Sequence, residues 1–478
     1  MSFLNPLYAG ISVALEIGGI CFAMRAILIA RTPQSAVAWA CGLVVLPLIT
    51  IPLFLIFGES RFAGYTLAGN RTSQNLDEAF RAIIQHLDGY KTTFTGKFLE
   101  ASRMANNLSR IPATGGAKVD LLIDGEATFQ SIFAAIDAAK ESVWVQFFII
   151  HDDRLGRALS ERLIAAARRG VECRVLFDQV GSKALPKSWS DQLSVEGIHV
   201  ESFVTNRQFG RRFQINFRNH RKLVIVDALV AFLGGLNVGD EYMGRSKRFG
   251  PWRDTHIRLE GPCVAGFQLS FLEDWNYITG EVPTFRLPKP LVAPEPAPLV
   301  FPIASGPAES WSICPAVFLS VINSATRRLW IASPYFVPGS PLFFAICHAA
   351  IRGVDVRVIL PQMADHLLPW LSSFTYYPKL RDAGVKLWRY KRGFMHQKVV
   401  LADDDLSIVG SINVDYRSFM LNFELSAAIQ DKNFADRLET MFLADFDQSA
   451  PEDLGKFDDG SLLFRLQCRA AALMSPEQ

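Results

Sequence analysis

NHRKLVIVDALVAFLGGLN, residues 219–237, decides how the rest of the chain is read, because it returns as MHQKVVLADDDLSIVGSIN at residues 395–413. Each copy spells His-x-Lys-x4-Asp-x6-Gly-[Gly/Ser]-x-Asn. The first supplies His220, Lys222, Asp227, Gly234, Gly235 and Asn237; the second supplies His396, Lys398, Asp403, Gly410, Ser411 and Asn413. A strand's two-residue period puts the His and Lys of each copy on one face. The apolar runs LVIV and VVLA bury that strand, the Asp marks a turn, and the next apolar run carries the Asn back toward the His and Lys. One His-x-Lys is an ordinary surface strand; two copies with the same sequel are a specific signal.

The repeat extends outward. IDAAKESVWV (136–145) matches INSATRRLWI (322–331), ARRGVECRVLFD (167–178) matches AIRGVDVRVILP (350–361), and EGIHVESF (196–203) echoes AGVKLWRY (383–390). Helix–strand alternation on both sides predicts two similar α/β lobes with mixed or parallel sheets, residues 118–282 and 308–478. Between them, residues 283–307 hold eight prolines and read as a linker. Two such lobes are expected to pack about a pseudo-two-fold axis, with a cleft fed by both.

Upstream, residues 61–117 read as a polar helical connector, and residues 1–60 as a membrane hairpin. Ser35–Phe57 is 23 residues without a charge, enough for a hydrocarbon core of about 30 Å. Leu7–Ala23 is interrupted by Glu16, whose carboxylate is costly in lipid. The expectation is two transmembrane helices, about 7–24 and 35–57, with Arg25 and Arg31 in the turn. Those two arginines against Arg61 and Arg71 beyond the second span give no orientation. A cleaved signal peptide is not expected, since no Lys or Arg precedes the first apolar run.

Composition narrows the function. Lys and Arg number 49 against 47 Asp and Glu, a net charge of +2, which argues against a strongly basic nucleic-acid binder and an acidic disordered chain. Seven scattered cysteines without a CxxC pair suit neither a disulfide framework nor a zinc site. No metal or other cofactor is expected.

The duplicated motif resembles the HKD motif of the phospholipase D superfamily. The RNHRK context, PWRDTHIRLEGP (251–262), the tripeptide NFE at 422–424 and the apolar N-terminus are similar to those of bacterial cardiolipin synthases. That resemblance implies a multi-pass protein of the bacterial inner membrane that moves a phosphatidyl group from one phosphatidylglycerol to another, releasing glycerol. Its partners would be membrane lipids rather than nucleic acid, and a second copy of the chain is admitted. Two imidazoles facing one phosphodiester permit two-step displacement through a phosphohistidine. The resemblance makes His220 the nucleophile and His396 the acid and base, and the near-symmetry leaves the reverse open. Lys222, Lys398, Asn237 and Asn413 would hold the phosphate oxygens. Asp227 and Asp403 belong to the motif but read as structural partners. An imidazole in this role needs a carboxylate behind it. Asp254, 27 residues after Asp227, is expected behind His220, and Glu424, 21 residues after Asp403, behind His396. Arg211, Arg212, Arg218 and Arg221 are candidates for gripping lipid phosphate, or form a solvated basic loop. His256, His366, Tyr376 and Tyr377 are candidates for the cleft wall, with ordinary packing as the default. A hydrolytic phospholipase D, an HKD nuclease and an inactive membrane scaffold remain as rivals.

Overall fold

A computed structural model describes residues 4–30, 33–58, 74–204, 217–287, 296–309 and 311–474. The chain divides into two units, one of Met1–Arg71 with Val204–Arg218, the other of Thr72–Phe203 with Asn219–Gln478.

In the first unit, helix Leu4–Ile29 contains a 20-residue stretch, Gly10–Ile29, long and apolar enough to cross a membrane. The second expected span is not one helix. Pro47 cannot supply a backbone donor, so residues 33–57 break at Leu46 into Pro33–Val45 and Pro47–Phe57. Each is shorter than the roughly 20 residues a crossing needs. The three helices meet around Ala23, Ala26, Leu43 and Phe54. Gly19 makes that closeness possible, since a Cβ there would lie 2.3 Å from the Leu43 carbonyl oxygen. Ile17, Met24, Ile27, Leu28 and Leu48 stay exposed, as does Glu16. Arg31, Arg61 and Arg71 lie outside the described residues.

The second unit holds the repeat. Its first lobe contains β1 (Lys118–Ile123), β2 (Ser142–Phe147), β3 (Glu172–Asp178), β4 (His199–Phe203), β5 (Arg218–Asn219, at the boundary of the units), β6 (Leu223–Val226), β7 (Val230–Gly234), β8 (Trp252–Arg253) and β9 (Thr255–Glu260). The main sheet runs β1-β9-β7-β6-β2-β3-β4. It is mixed: β2, β3 and β4 are parallel, and the pairs from β1 to β2 are antiparallel.

The second lobe contains β10 (Leu299–Ser305), β11 (Arg328–Ala332), β12 (Phe336–Val337), β13 (Asp355–Pro361), β14 (Lys386–Tyr390), β15 (Phe394–Met395), β16 (Val399–Ala402), β17 (Leu406–Gly410), β18 (Val414–Asp415), β19 (Asn422–Gln430) and β20 (Ser449–Pro451). Its order, β10-β19-β17-β16-β11-β13-β14-β20, repeats the first lobe and adds an antiparallel edge strand. Helix Cys263–Thr279 follows β9 and packs on β10, while helix Lys432–Asp447 follows β19 and packs on β1. Each lobe therefore sends one helix to the other lobe's edge strand, as a pseudo-two-fold axis requires. The HKD strands β6 and β16 are buried at every position, as expected of strands covered on both faces.

Two segments differ from the sequence expectation. Residues 74–117 are not a free connector: Phe94, Phe98, Ala101, Ala105 and Ala113 belong to the second lobe's core. The proline-rich segment does not stay irregular either, since β10 occupies its end and pairs antiparallel with β19, Pro302 opposite Ala427. The strand lies at the margin of its sheet, where a residue without an N–H is tolerated. Residues 288–295 lie outside the described residues.

Candidate active site

The short strands before each histidine decide the site. β15 pairs in parallel with β8 of the first lobe, Met395 opposite Arg253. The His396 N–H then donates to the Arg253 carbonyl at 2.8 Å. Asp254 is the next residue along, and its Oδ2 lies 2.9 Å from His396 Nδ1. The other half mirrors this. The His220 N–H donates to the Phe423 carbonyl at 2.9 Å, and the next residue, Glu424, places its two oxygens 3.0 and 2.9 Å from His220 Nδ1. The expected pairing is thus crossed: Asp254 backs His396, and Glu424 backs His220. Strand exchange between the lobes is the reason, because each imidazole leaves its own sheet and hydrogen bonds beside the partner lobe's carboxylate.

Each carboxylate is fixed inside its own lobe. Ser411 Oγ donates to Glu424 at 2.5 Å and Asn422 Nδ2 at 3.1 Å. At the equivalent first-lobe position, Gly235 leaves room that Asp254 fills, since a Cβ there would lie 2.0 Å from Asp254 Oδ1. The motif's Gly-[Gly/Ser] alternative thus follows from how each lobe seats its carboxylate. Burial opposes ionisation of Glu424, yet His220 and Lys222 hold it below the usual carboxylate range; Lys398 and His396 do the same for Asp254.

With Nδ1 facing a carboxylate, Nε2 is the ring nitrogen left to meet a substrate. Both imidazoles are 8% exposed, whereas Lys222 is 0% and Lys398 3% exposed, so a ligand touches rings before ammonium groups. Lys222 Nζ donates to the His220 carbonyl at 2.7 Å, and Lys398 Nζ to the His396 carbonyl at 2.5 Å. Lys398 Nζ also lies 2.9 Å from His396 Nδ1, so the Asp254 contact there is made beside a cation. Burial pushes Lys222 down to about 7 and Lys398 down to about 8. Burial, reinforced by both ammonium groups against the pull of Glu424, takes His220 down to about 4. His396 is also lowered, by burial and Lys398, with Asp254 and Asp365 opposing.

The motif aspartates face away from this chemistry. Asp227, in the left-handed region at φ 53°, accepts the backbone N–H groups of Lys140, Glu141 and Ser142 at 2.8–2.9 Å. Asp403, at φ 54°, accepts those of Thr326, Arg327 and Arg328 and pairs with Lys97 at 2.5 Å. Both pin the start of the neighbouring strand. Asn237 accepts the Ile149 N–H and donates to Tyr242 Oη. Asn413 is buried, and its side-chain oxygen lacks a hydrogen-bond partner among the described residues.

Arg221 corrects the substrate-binding expectation. It is buried, with its guanidinium on Asp274 at 2.9 Å and on the carbonyls of Ser270, Glu424 and Ser305. It pins the lobes together instead of facing a ligand. Arg218 is half-buried and donates to the Phe217 carbonyl; Arg211 and Arg212 lie outside the described residues. His256 is buried beside Asp254, and desolvation takes it down to about 3, so it is a neutral packing group. Tyr377 is buried against Arg389 and Glu452, Tyr376 donates to the Pro338 carbonyl, and His366 is exposed.

Several residues near the site carried no signal in a single sequence. Arg253 spans the lobes with a two-pronged pair to Asp445, at 2.7 and 2.9 Å. Gln397 joins the same carboxylate at 2.8 Å. Tyr335 Oη donates to Asp365 at 2.5 Å, and the Asp365 charge bears on both His396 and Lys398. Among the described residues no group of three or more His, Cys, Asp or Glu side chains is placed to hold a metal ion.

This geometry has relatives. The family model described as "Cardiolipin synthase, PLD-like domain" matches residues 132–247 and 318–446. The chain belongs to the cardiolipin synthase family of phospholipase D-like proteins. Cardiolipin synthase A of Pseudomonas entomophila (strain L48) is 44% identical over 479 residues, 100% of both chains. Cardiolipin synthase A of Pseudomonas putida is 43% identical over 480 residues, 100% of this chain and 99% of that one. The crystal structure of phosphatidylserine synthase from Haemophilus influenzae Rd KW20 shares the fold, with a TM-score of 0.62 at 16% identity, over 79% of this chain and 100% of that one.

Proposed function

We propose that the chain is a phosphatidyltransferase that makes cardiolipin from two phosphatidylglycerol molecules and releases glycerol. The observation that carries the mechanism is the crossed arrangement: each buried imidazole is oriented by the other lobe's carboxylate, with a buried lysine two residues away on either side. His220 is the nucleophile. Held at about 4, its ring is neutral at pH 7 and Nε2 keeps its lone pair. Nε2 attacks phosphorus, the P–O bond to the glycerol headgroup breaks, and protonated His396 gives its proton to the departing oxygen. His396, now neutral, takes the proton of a hydroxyl on the second phosphatidylglycerol. That oxygen attacks phosphorus, the P–N bond breaks, and cardiolipin leaves with His220 restored. An anionic phosphodiester favours the proton on His396 and on the lysines, opposing their desolvation. Lys222, Lys398 and Asn413 offset charge on the non-bridging oxygens in the transition state.

The span-length helix Leu4–Ile29 and the lipid substrate support an address in the inner membrane of a bacterial cell; a second crossing would need Pro33–Val45 and Pro47–Phe57 in series.

Purified protein given labelled phosphatidylglycerol is expected to yield cardiolipin and glycerol in equal amounts, and His220→Ala and His396→Ala to yield neither. Phosphatidic acid as the main product would replace this reading with a hydrolytic phospholipase D.

A further inference from the structure

Helix Leu462–Leu473 is apolar on two sides. Its inner side carries Phe464, whose ring lies 5.2 Å from that of Phe374, with the buried Cys468 and Ala471. Its outer side carries Leu462, Leu466 and Leu473, each more than half exposed. Their spacings of four and seven put them on one stripe. A surface helix in water shows polar residues there, and among the described residues no apolar partner covers this stripe. Helix Leu367–Ser373 packs against it and leaves Leu367 and Leu368 exposed as well. Arg465 and Arg469 are exposed on the longer helix, which holds no Asp or Glu.

The pair borders the candidate active site. Helix Leu367–Ser373 starts two residues after Asp365, whose charge bears on His396 and Lys398. It packs on β12, and β12 pairs with β18, which begins directly after Asn413. We propose that the outer faces of helices Leu367–Ser373 and Leu462–Leu473 dock on an anionic lipid bilayer, bringing the second-lobe rim of the cleft to the headgroup layer that holds its substrate. The leucines would enter the acyl boundary and the arginines would meet headgroup phosphates. This inference rests on the phospholipid-transfer reading above, because continuity with a lipid-consuming site makes a bilayer the occupant.

The test uses the full chain in vesicles of phosphatidylglycerol and phosphatidylcholine. Cys21 and Cys41 are the exposed cysteines and the other five are buried, so Leu466→Cys in a Cys21→Ser, Cys41→Ser background takes an environment-sensitive nitrobenzoxadiazole label at one site. Blue-shifted emission that doxyl-labelled acyl chains quench is expected. Emission as in water overturns the proposal, and so does a blue shift indifferent to doxyl lipid, which would mark a protein partner such as a second copy. Separately, Leu462→Ser with Leu466→Ser is expected to lower cardiolipin formation from bilayers about tenfold or more, because both side chains lose their apolar contact with the acyl boundary. Activity on monomeric short-chain phosphatidylglycerol should be unchanged. Equal loss on both substrates overturns docking. If the parent makes no cardiolipin from either substrate, the transferase reading fails, and the label still reports on docking by itself.

Discussion

Replacing Glu424 by Gln tests the crossed wiring directly. Glu424 accepts from His220 Nδ1, Ser411 Oγ and Asn422 Nδ2, all buried. The amide keeps the shape and removes the charge. A charge-assisted hydrogen bond contributes about 1.5–3 kcal/mol, and burial favours the upper end. At about 1.36 kcal/mol per tenfold, 3 kcal/mol is a factor of about 150. Losing control of the tautomer adds to this, so a fall of about 10²–10⁴ in the rate of the first step is expected. Asp254→Asn should impair the proton-carrying His396 instead. The two are separated with a phosphatidyl p-nitrophenyl ester, whose departing phenolate needs no proton. In rapid mixing, Asp254→Asn should keep a burst of nitrophenolate and then turn over slowly, whereas Glu424→Gln should lose the burst. A burst kept by Glu424→Gln and lost by Asp254→Asn would refute the reasoning.

Three further outcomes follow from the same contacts. Burial holds Lys222 at about 7 and Lys398 at about 8, and a phosphodiester anion raises both, so binding takes up protons; both ammonium groups are present below pH 7 and lost above pH 8. KM should therefore rise above pH 7 and more steeply above pH 8, by up to about tenfold per unit for each proton taken up, and a flat KM from pH 6 to 10 would contradict this. Arg253→Met strands the Asp445 carboxylate, which its guanidinium grips in two places; the catalytic unit should lose about 3–5 kcal/mol in denaturant titration, and a loss below about 1 kcal/mol would show that this contact does not hold the lobes. Gly235→Ala would put a methyl 2.0 Å from Asp254 Oδ1, so kcat should fall by about 10² or more, whereas Ser411→Ala, which removes one hydroxyl from Glu424, should cost about tenfold or less; equal losses would remove the asymmetry inferred between the two seats.

The repeat made much of the fold legible. An apolar strand after His-x-Lys, a turn at Asp and a returning strand ending near Asn describe β6–β7 and β16–β17, because an apolar run is a local property. The His and Lys of each copy lie ahead of that strand, in the links β5–β6 and β15–β16, not on it as the two-residue period suggested. The site was less legible. Arg221 reads as one of four basic residues near the first motif, and only its neighbours Asp274, Ser270 and Ser305 reveal a pin between lobes. The N-terminal apolar run has the composition of a span, but its break at Leu46 depends on how Pro47 starts a new helix.

Two lobes, one His and one Lys from each just ahead of a buried strand, and Asp254 and Glu424 as the carboxylates to place were all legible in the linear chain. Which carboxylate stands behind which imidazole was decided only in three dimensions. Spacing along the chain measures separation within a lobe, whereas β15 pairing with β8, and His220 bonding to Phe423, carry each histidine across to the other lobe. Backbone hydrogen bonds between segments more than a hundred residues apart leave no trace in local periodicity, so tertiary structure alone set the crossing.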